Sequence, residues 1–217
     1  MASDVTLITQ AGDLEDMVEA VVFVWYPGQA GGQALADVLF GDICPSGKLP
    51  VTFSRSTAQL PPFDDYSMER RTYRYNRLEP LYPFGFGLSY TRFKFSSLKL
   101  ASDRLSAGNP LTFRLTLENA GAMDADEVVQ VYLSDLQACA PVPLHKLVGF
   151  QRVYVRAGRR RTLRFSLPPE AMQFVDEDGQ PRLEPGEFRL TVGSCSPGRR
   201  GVDLGASEPL YASFIVV

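Results

Sequence analysis

The stretch LTFRLTLEN, residues Leu111–Asn119, alternates apolar and polar side chains along its length. The apolar members are Leu111, Phe113, Leu115 and Leu117. Because successive side chains of a strand point to opposite faces of a sheet, the alternation predicts a strand with one face in a core and the other in solvent.

Other short runs of apolar, β-branched and aromatic residues surround this strand after Arg92. They are FKFSSLKL, EVVQVYLSD, LVGFQRVYVRAG, RRTLRFSLP, GEFRLTVGS and ASFIVV. Turn residues separate them at intervals of about ten residues, among them Ala157-Gly158, Asp178-Gly179 and Pro185-Gly186. Short strands at this spacing predict a β-sandwich.

The segment before residue 43 has a different pattern. VTLITQ, Val5–Gln10, and EAVVFVWY, Glu19–Tyr26, predict strands, and the continuous apolar run of the second is typical of parallel strands covered on both faces. GGQALADVLFGD, Gly31–Asp42, predicts a helix, because its apolar residues recur at helical spacing and Gly41 can end it. Together these runs indicate an α/β unit.

Between Ile43 and Tyr90 the chain is rich in Pro, Gly, Tyr and Phe and lacks clear periodicity. Aromatic side chains bury large areas without regular structure, and a disordered linker contains fewer of them. This stretch therefore predicts an ordered, packed loop.

Composition argues against several classes of protein. Lys and Arg number 22 against 25 Asp and Glu, and the formal charge of −3 offers no basic surface to nucleic acid. No apolar run reaches the ~20 residues of a membrane span, and the first residues lack a signal-peptide pattern, which favours a cytoplasmic location. Cys44, Cys139 and Cys195 are widely spaced, so we expect free thiols and neither a metal site nor a cofactor.

His145 is the single histidine and lies just ahead of a predicted strand. A Ser-His-Asp triad would need it as the base, whereas the plainer interpretation is a partly exposed loop side chain. The glycine-rich turn at residues 28–32 could cradle a phosphate, but it lacks the Lys-Ser/Thr pair of a P-loop and the GxGxxG spacing.

Four stretches together resemble the C-terminal part of glycoside hydrolase family 3. They are VWYPGQAGGQALADVLFGDICPSGKLPVTF, DYSMERRTYRYN, EPLYPFGFGLSYTRF, and LVGFQRVYVRAG followed by DEDGQPRLEPGEFRLTVGSCS. The resemblance implies a mixed fold, in which residues 1–91 are the C-terminal part of an α/β sandwich domain with its aromatic exit loop. Residues 92–217 would form an all-β, immunoglobulin-like sandwich of the fibronectin type III-like kind.

The loop DYSMERRTYRYN carries the candidate substrate-binding residues that the resemblance implies. They are Arg71, Tyr73 and Arg74, which could contact a sugar or a neighbouring domain. The alternative is a loop held by salt bridges from its arginines to Asp64, Asp65 and Glu69. Arg70 stands where the family often has glycine, which implies a changed loop conformation or a relaxed constraint, because Arg adopts positive φ angles at a cost.

The aromatic residues of YPFGFGLSY resemble the family's connection between domains. They are Tyr82, Phe84, Phe86 and Tyr90, and we expect them to serve as interdomain packing. A second interpretation stacks one of these rings on a sugar, and the sequence favours no particular ring.

We expect no catalytic residue in this chain. Retaining glycoside hydrolysis uses two carboxyl groups about 5 Å apart. The resemblance implies that the nucleophile is an Asp of an N-terminal barrel and that the acid/base is a Glu ahead of the first strands seen here. The acids near the start, Asp13, Glu15, Asp16 and Glu19, fit a solvated face, and Asp176–Asp178 fit a hairpin turn.

These expectations describe the C-terminal region of a retaining, exo-acting β-glucosidase or β-xylosidase that is inactive alone. In the parent enzyme the partner is a β-linked oligosaccharide, and a missing N-terminal domain or a partner chain would cover the apolar strands. The alternatives are a non-catalytic carbohydrate-binding or protein-interaction module and an immunoglobulin-like adhesion domain, which the segment before Arg92 opposes.

Overall fold

The computed structural model describes residues 6–8 and 20–217. Its strands are β1 (Thr6–Ile8), β2 (Val21–Phe23), β3 (Phe93–Leu100), β4 (Arg104–Leu105), β5 (Leu111–Asn119), β6 (Ala125–Asp135), β7 (Lys146–Val155), β8 (Arg160–Leu167), β9 (Phe174–Val175), β10 (Pro181–Arg182), β11 (Gly186–Gly193) and β12 (Leu210–Val216). The helices are α1 (Gly31–Leu39), α2 (Thr72–Tyr75) and α3 (Arg199–Asp203), with 3-10 turns at Thr57–Gln59 and Pro169–Met172. The four acids predicted near residues 13–19 lie outside the described residues.

Strand β5 is the centre of a three-stranded antiparallel sheet with β3 and β8 on its two sides. Its burial alternates as the sequence predicted, and its four apolar side chains are each at most 4% exposed. A bulge in β3 between Ser96 and Lys99 places Ser97 at a φ of +55° and bends the strand at its middle.

The facing sheet has five strands in the order β4-β12-β11-β6-β7. The short β4 runs parallel to β12, and the other neighbours are antiparallel. The core fills the space between the two sheets, and β6 lies deepest, with Val129 and Val131 fully buried. Residues 93–217 are called the β-sandwich below.

Some of the short elements that connect the strands of the β-sandwich were predictable from the sequence, and others were not. The predicted turn at Asp178-Gly179 is confirmed, because β9 and β10 pair there and Gly179 takes a φ of +75°. Two short elements, β4 and α3, were not predicted, because two and five residues show no measurable periodicity.

The prediction of parallel, doubly covered strands near the start is wrong in both strand direction and burial. Strands β1 and β2 pair antiparallel, with Leu7 opposite Val22. The regular part of EAVVFVWY is three residues long and only partly buried, and Tyr26 is 98% exposed. A continuous apolar run is consistent with either strand direction and does not itself provide the layers that would cover it.

Helix α1 ends where the sequence predicted, because Gly41 follows it at a φ of +82°. At its start, a Cβ on Gly31 would lie 2.3 Å from the Cβ of Pro27, so only glycine fits that turn. One face of α1 is covered through Val38, which is fully buried, whereas Leu39 and Phe40 are 59% and 85% exposed.

Residues 43–90 form ordered loops around a second, smaller core. Its buried members are Leu49, Tyr82, Phe86 and Leu204, the last contributed by the β-sandwich. A single antiparallel bridge joins Phe53 to Tyr82. Residues 20–90 are called the N-terminal segment below.

No described helix has the length and apolar character to span a membrane. The fold is mixed, as predicted, with an α/β fragment followed by an all-β sandwich.

Candidate functional site

Arg71 closes the loop that carries the predicted substrate-binding residues. Its Nε donates to the carbonyl of Ser67 at 3.0 Å, and an Nη donates to the carbonyls of Pro62, at 3.2 Å, and Asp65. Within residues 20–217, no ion pair joins Arg71 to the three acids of the loop. The guanidinium of Arg71 therefore donates to backbone carbonyls of a turn, which have no partner in a sheet. It does not form the salt bridges considered above.

Arg70 and Thr72, on either side of Arg71, have backbones in the left-handed region, with φ angles of +59° and +54°. For residues with a Cβ this conformation costs roughly 1–2 kcal/mol each. Arg70 therefore takes the strained backbone conformation that glycine would adopt cheaply, and its side chain is exposed.

Tyr73 is the centre of an aromatic stack that joins the N-terminal segment to the β-sandwich. Its ring lies parallel to that of Phe84 at 4.3 Å and to that of His145 at 6.0 Å, and the ring of Tyr132 meets it edge-on at 5.9 Å. Its hydroxyl accepts a hydrogen bond from the backbone amide of Leu147 at 3.2 Å. Burial lowers the pKa of His145 to about 4, so this imidazole is neutral near pH 7.

Arg74 follows Tyr73 in the same short helix and lies near a second cation, Lys146. Its Nε is buried and has no hydrogen-bond partner among the described residues, and its guanidinium carbon lies 5.7 Å from the ring centre of Tyr75. Its carbonyl accepts from the amide of Leu144 at 2.7 Å. Burial, and then the charge of Arg74, lower the pKa of Lys146, whose Nζ donates to the carbonyl of Gln173 at 3.1 Å.

A cavity of about 460 Å³ opens beside the aromatic stack. Tyr73 and His145 line one wall, and Asn76 and Glu79 are among its polar residues. Neither Arg71 nor Arg74 lines it, so the structure brings only one of the three predicted residues to this cavity. The carboxylate of Glu79 is bound by the guanidinium of Arg55.

A second cavity, of about 920 Å³, lies at the turn into α1. Trp25, Tyr26 and Lys48 line it, and Asp37 is the one carboxylate among the described residues of its lining. An Oδ of Asp37 accepts from the amide of Gln33 at 2.5 Å.

The four predicted packing aromatics occupy two environments. Tyr82 and Phe86 are 4% and 0% exposed and stack on each other at 6.1 Å, and Phe84 packs on Tyr73. Tyr90 is 42% exposed, and its hydroxyl donates to the carbonyl of Val38 at the end of α1. Of the four rings, Tyr90 has the most exposed surface to offer a ligand.

Gly85 joins the aromatic connection to β6, a contact that the sequence did not reveal. It has a φ of +78°, and a Cβ there would lie 2.0 Å from Oε1 of Gln130. The Nε2 of Gln130 donates to the carbonyls of Gly85, at 3.0 Å, and Ser194, at 2.7 Å, while Tyr132 donates its hydroxyl to Oε1. Every hydrogen-bonding atom of this buried amide is therefore engaged.

Lys48 and Glu127 form a second polar connection between the same two regions. Their side chains are 11% and 6% exposed, and Nζ lies 2.8 Å from Oε1. Nζ also donates to the carbonyl of Gly87 at 2.7 Å. A buried charge of either sign is tolerated here because its partner and a further hydrogen bond compensate its lost hydration.

The three cysteines are free, as predicted. Burial raises the pKa of the Cys195 thiol to about 12 and also raises the pKa of Cys44. For Cys139 the pKa is raised first by its hydrogen bond to Glu184. All three are held as protonated thiols near pH 7, which argues against a nucleophilic role. Within residues 20–217, no cluster of three His, Cys, Asp or Glu residues could hold a metal ion.

Comparisons with known proteins match this arrangement of segment and β-sandwich. The description "Glycosyl hydrolase family 3 C-terminal domain" matches residues 2–90, and "Fibronectin type III-like domain" matches residues 127–196. The architecture and the matched segments thus define a glycosidase C-terminal domain with an appended sandwich. The chain belongs to glycoside hydrolase family 3.

The regions matched by individual relatives make up most of this chain but only a small part of each relative. The xylan 1,4-β-xylosidase of Xylanibacter ruminicola is 41% identical over 82% of this chain and 20% of its own length. The periplasmic β-glucosidase of Salmonella typhimurium is 36% identical over 82% of this chain and 25% of its own. A solved β-glucosidase of Erythrobacter marinus superposes with a TM-score of 0.79 at 33% identity, over 94% of this chain and 26% of that one. The chain spans about a fifth to a quarter of the length of these three proteins.

Proposed function

We propose that this chain is the C-terminal region of a retaining, exo-acting β-glycoside hydrolase of the β-glucosidase or β-xylosidase type, and that residues 1–217 alone do not hydrolyse glycosides. The names of the relatives support the reaction class. Retaining hydrolysis needs two carboxyl groups about 5 Å apart. The absence of hydrolysis is supported by the lining of the two cavities described above, each of which has one carboxylate among the described residues, Glu79 or Asp37.

The test is an assay of the purified chain with nitrophenyl β-glucoside and nitrophenyl β-xyloside. We expect no release of nitrophenol above the buffer rate. Hydrolysis that persists through purification, and that falls when Glu79 or Asp37 is changed to the amide, would overturn the proposal.

The division of the chain is part of the same proposal. Residues 1–91 would be the tail of the α/β sandwich domain with its aromatic exit loop, and residues 92–217 the fibronectin type III-like sandwich. The family match that ends at residue 90 and the start of β3 at Phe93 support a boundary between them.

Exposed aromatic side chains support a further protein surface as the partner of the N-terminal segment. Tyr26 and Phe63 are both 98% exposed, Tyr66 is 91% exposed and Phe40 is 85% exposed. Such side chains concentrated in one segment mark a surface that another protein covers. The partner would be the family's N-terminal catalytic domain, within one polypeptide or as a second chain.

The second candidate function is non-catalytic carbohydrate binding, which the mixed polar and aromatic lining of the smaller cavity favours. In this proposal Tyr73 borders the sugar, while Arg71 and Arg74 position the loop that carries it. Retention of the chain on insoluble xylan or cellulose tests this function. If the unmodified chain passes through both polymers unretained, polymer binding is excluded.

A further inference from the structure

Three cations lie side by side on the outer face of the three-stranded sheet. Lys99 of β3 is opposite Arg114 of β5, which in turn is opposite Arg164 of β8. Residues directly opposite each other on neighbouring strands share a face, with their Cβ atoms about 5 Å apart. All three residues are exposed, and none of their side chains forms an ion pair among the described residues. These three residues are called the cationic row below.

The bulge in β3 completes the cationic row. Ser96 pairs with Thr116 and Lys99 pairs with Arg114, so β3 has one residue more than β5 between the two pairs. Without the bulge, Leu98 would lie opposite Arg114 and face solvent. With it, Leu98 packs against the core of the β-sandwich and Lys99 faces outward beside Arg114.

Another row on the same face contains the anion that the cationic row lacks. In that row Glu118 lies between Lys94 and Arg160, and the Nε of Arg160 donates to an Oε of Glu118 at 2.9 Å. Glu118 is the one carboxylate among the described residues that face outward from these three strands. Like charges directly opposite each other destabilise a sheet. An anionic ligand would offset the repulsion within the cationic row.

Hydroxyl groups border the cationic row on both sides. Ser96, Thr116 and Thr162 form the row on one side, and Thr112 lies opposite Ser166 on the other. Among the described residues of the three strands, no aromatic or large apolar side chain belongs to these outward-facing rows. Single-stranded nucleic acid stacks its bases on aromatic rings, and membrane-surface helices insert apolar side chains. The combination of cations and hydroxyl groups instead matches the carboxylates and hydroxyl groups of an acidic polysaccharide.

We propose that the outer face of β3, β5 and β8 binds a polysaccharide that carries uronic acid residues, with its carboxylates on the cationic row. The guanidinium groups of Arg114 and Arg164 can each hold a carboxylate through two parallel hydrogen bonds. The formal charge of −3 for the whole chain conceals this local concentration of cations. No residue of the cationic row lines either cavity, so the proposal goes beyond both candidate functions above and does not depend on them.

The experiment measures binding of the chain to immobilised oligogalacturonate by surface plasmon resonance. We expect saturable binding at low ionic strength that is lost at about 1 M salt, where the screening length falls to about 3 Å. Methyl-esterified oligogalacturonate lacks the charges and should bind at least about tenfold more weakly. Arg114→Gln should weaken binding about threefold, and joint replacement of Lys99, Arg114 and Arg164 by Gln about tenfold or more. The melting temperature of Arg114→Gln should be unchanged or higher, because the repulsion within the row is relieved.

Arg189 supplies a matched control on the other sheet. It is exposed in β11, but its neighbours in the register are Ser134 and Ser213 rather than cations. Arg189→Gln should therefore leave binding unchanged. Absence of saturable binding to oligogalacturonate, or equal losses in Arg114→Gln and Arg189→Gln, would overturn the proposal. Tighter binding of single-stranded DNA or of anionic lipid vesicles would overturn the assignment of a polysaccharide.

Discussion

The β-sandwich and the N-terminal segment are held together by different kinds of interaction. In the β-sandwich two sheets enclose one continuous apolar core, and Leu115, Val129 and Leu190 are all fully buried. In the N-terminal segment only a few large side chains are buried, and its smaller core borrows Leu204 from the β-sandwich. Its order depends on two buried polar connections to β6, through Lys48 and through Gly85.

The difference indicates which region depends on the other. A core enclosed by two complete sheets is formed within the β-sandwich itself, because its strands bury their apolar faces against each other. The N-terminal segment has no second layer of its own among the described residues, so docking onto the β-sandwich supplies much of its stability. The predictions below separate docking from folding of the β-sandwich, in order of decreasing effect.

Removing the carboxylate of Glu127 should give the largest effect. Glu127→Ala leaves the ammonium of Lys48 buried without its partner, and breaking a buried pair in this way costs about 3–5 kcal/mol. Urea denaturation should show the loss mainly as earlier release of the N-terminal segment, followed through the fluorescence of Trp25.

The neighbouring residue in β6 is the control for that experiment. Asp126 pairs with Arg152 at 3.0 Å, with exposures of 29% and 44%. Asp126→Ala should therefore cost less than about 1 kcal/mol. Equal losses from the two substitutions would contradict the docking role of the Lys48–Glu127 pair.

The next largest loss of stability is expected from adding a methyl group at Gly85. In Gly85→Ala the new Cβ would collide with Oε1 of Gln130, and the left-handed backbone adds its own cost, so we expect a loss of about 3 kcal/mol. Gly108→Ala is matched in φ, at +87°, but meets no atom within 4 Å, and should cost about 1 kcal/mol. Limited proteolysis should cut residues 20–90 faster in Gly85→Ala than in Gly108→Ala, and equal rates would contradict the prediction.

The sequence predicted the β-sandwich better than the docked segment, and the reason is physical. The strand β5 was predictable because its alternation reports a local property, namely which face of a strand is covered. The junction of Gly85 with Gln130 joins residues 45 positions apart, and nothing in either stretch signals the other. In the candidate site, the aromatic character of residues 73–90 was predictable, but the turn of the loop that places Tyr73 in the cavity wall and Arg71 on backbone carbonyls was not.

The aromatic stack should make docking sensitive to pH. His145 faces the rings of Tyr73 and Tyr132, with Lys146 beside it and Arg74 near that lysine. Glu79, which lines the same cavity, is paired with Arg55. Because its pKa is about 4 in the folded chain and 6.5 without burial, the unfolded chain takes up the proton first as pH falls. The contribution of neutral His145 to the free energy of unfolding is complete above about pH 6.5. It falls by about 2 kcal/mol between pH 6.5 and pH 4, after allowance for the partial exposure of the side chain.

A stability profile between pH 4 and pH 8 tests this, with His145→Gln as the comparison. Carboxylates titrate in both proteins, so the informative quantity is the difference between the two profiles. That difference should change across pH 4–6.5 and be flat above it. Parallel profiles throughout would show that the histidine does not couple docking to pH.

The smallest expected effect is a gain in stability at Arg70. Arg70→Gly keeps the φ of +59° and removes the clash of a Cβ in that conformation, and the exposed side chain makes no hydrogen bond among the described residues. We expect about 1 kcal/mol of added stability, reduced by the greater freedom of glycine in the unfolded chain. Arg77→Gly is the control, since Arg77 is exposed and its φ is not positive, and it should lose up to about 1 kcal/mol. If both substitutions destabilise equally in urea, the backbone of the loop is not strained at Arg70. Opposite signs would show that the backbone of this loop stores strain at Arg70.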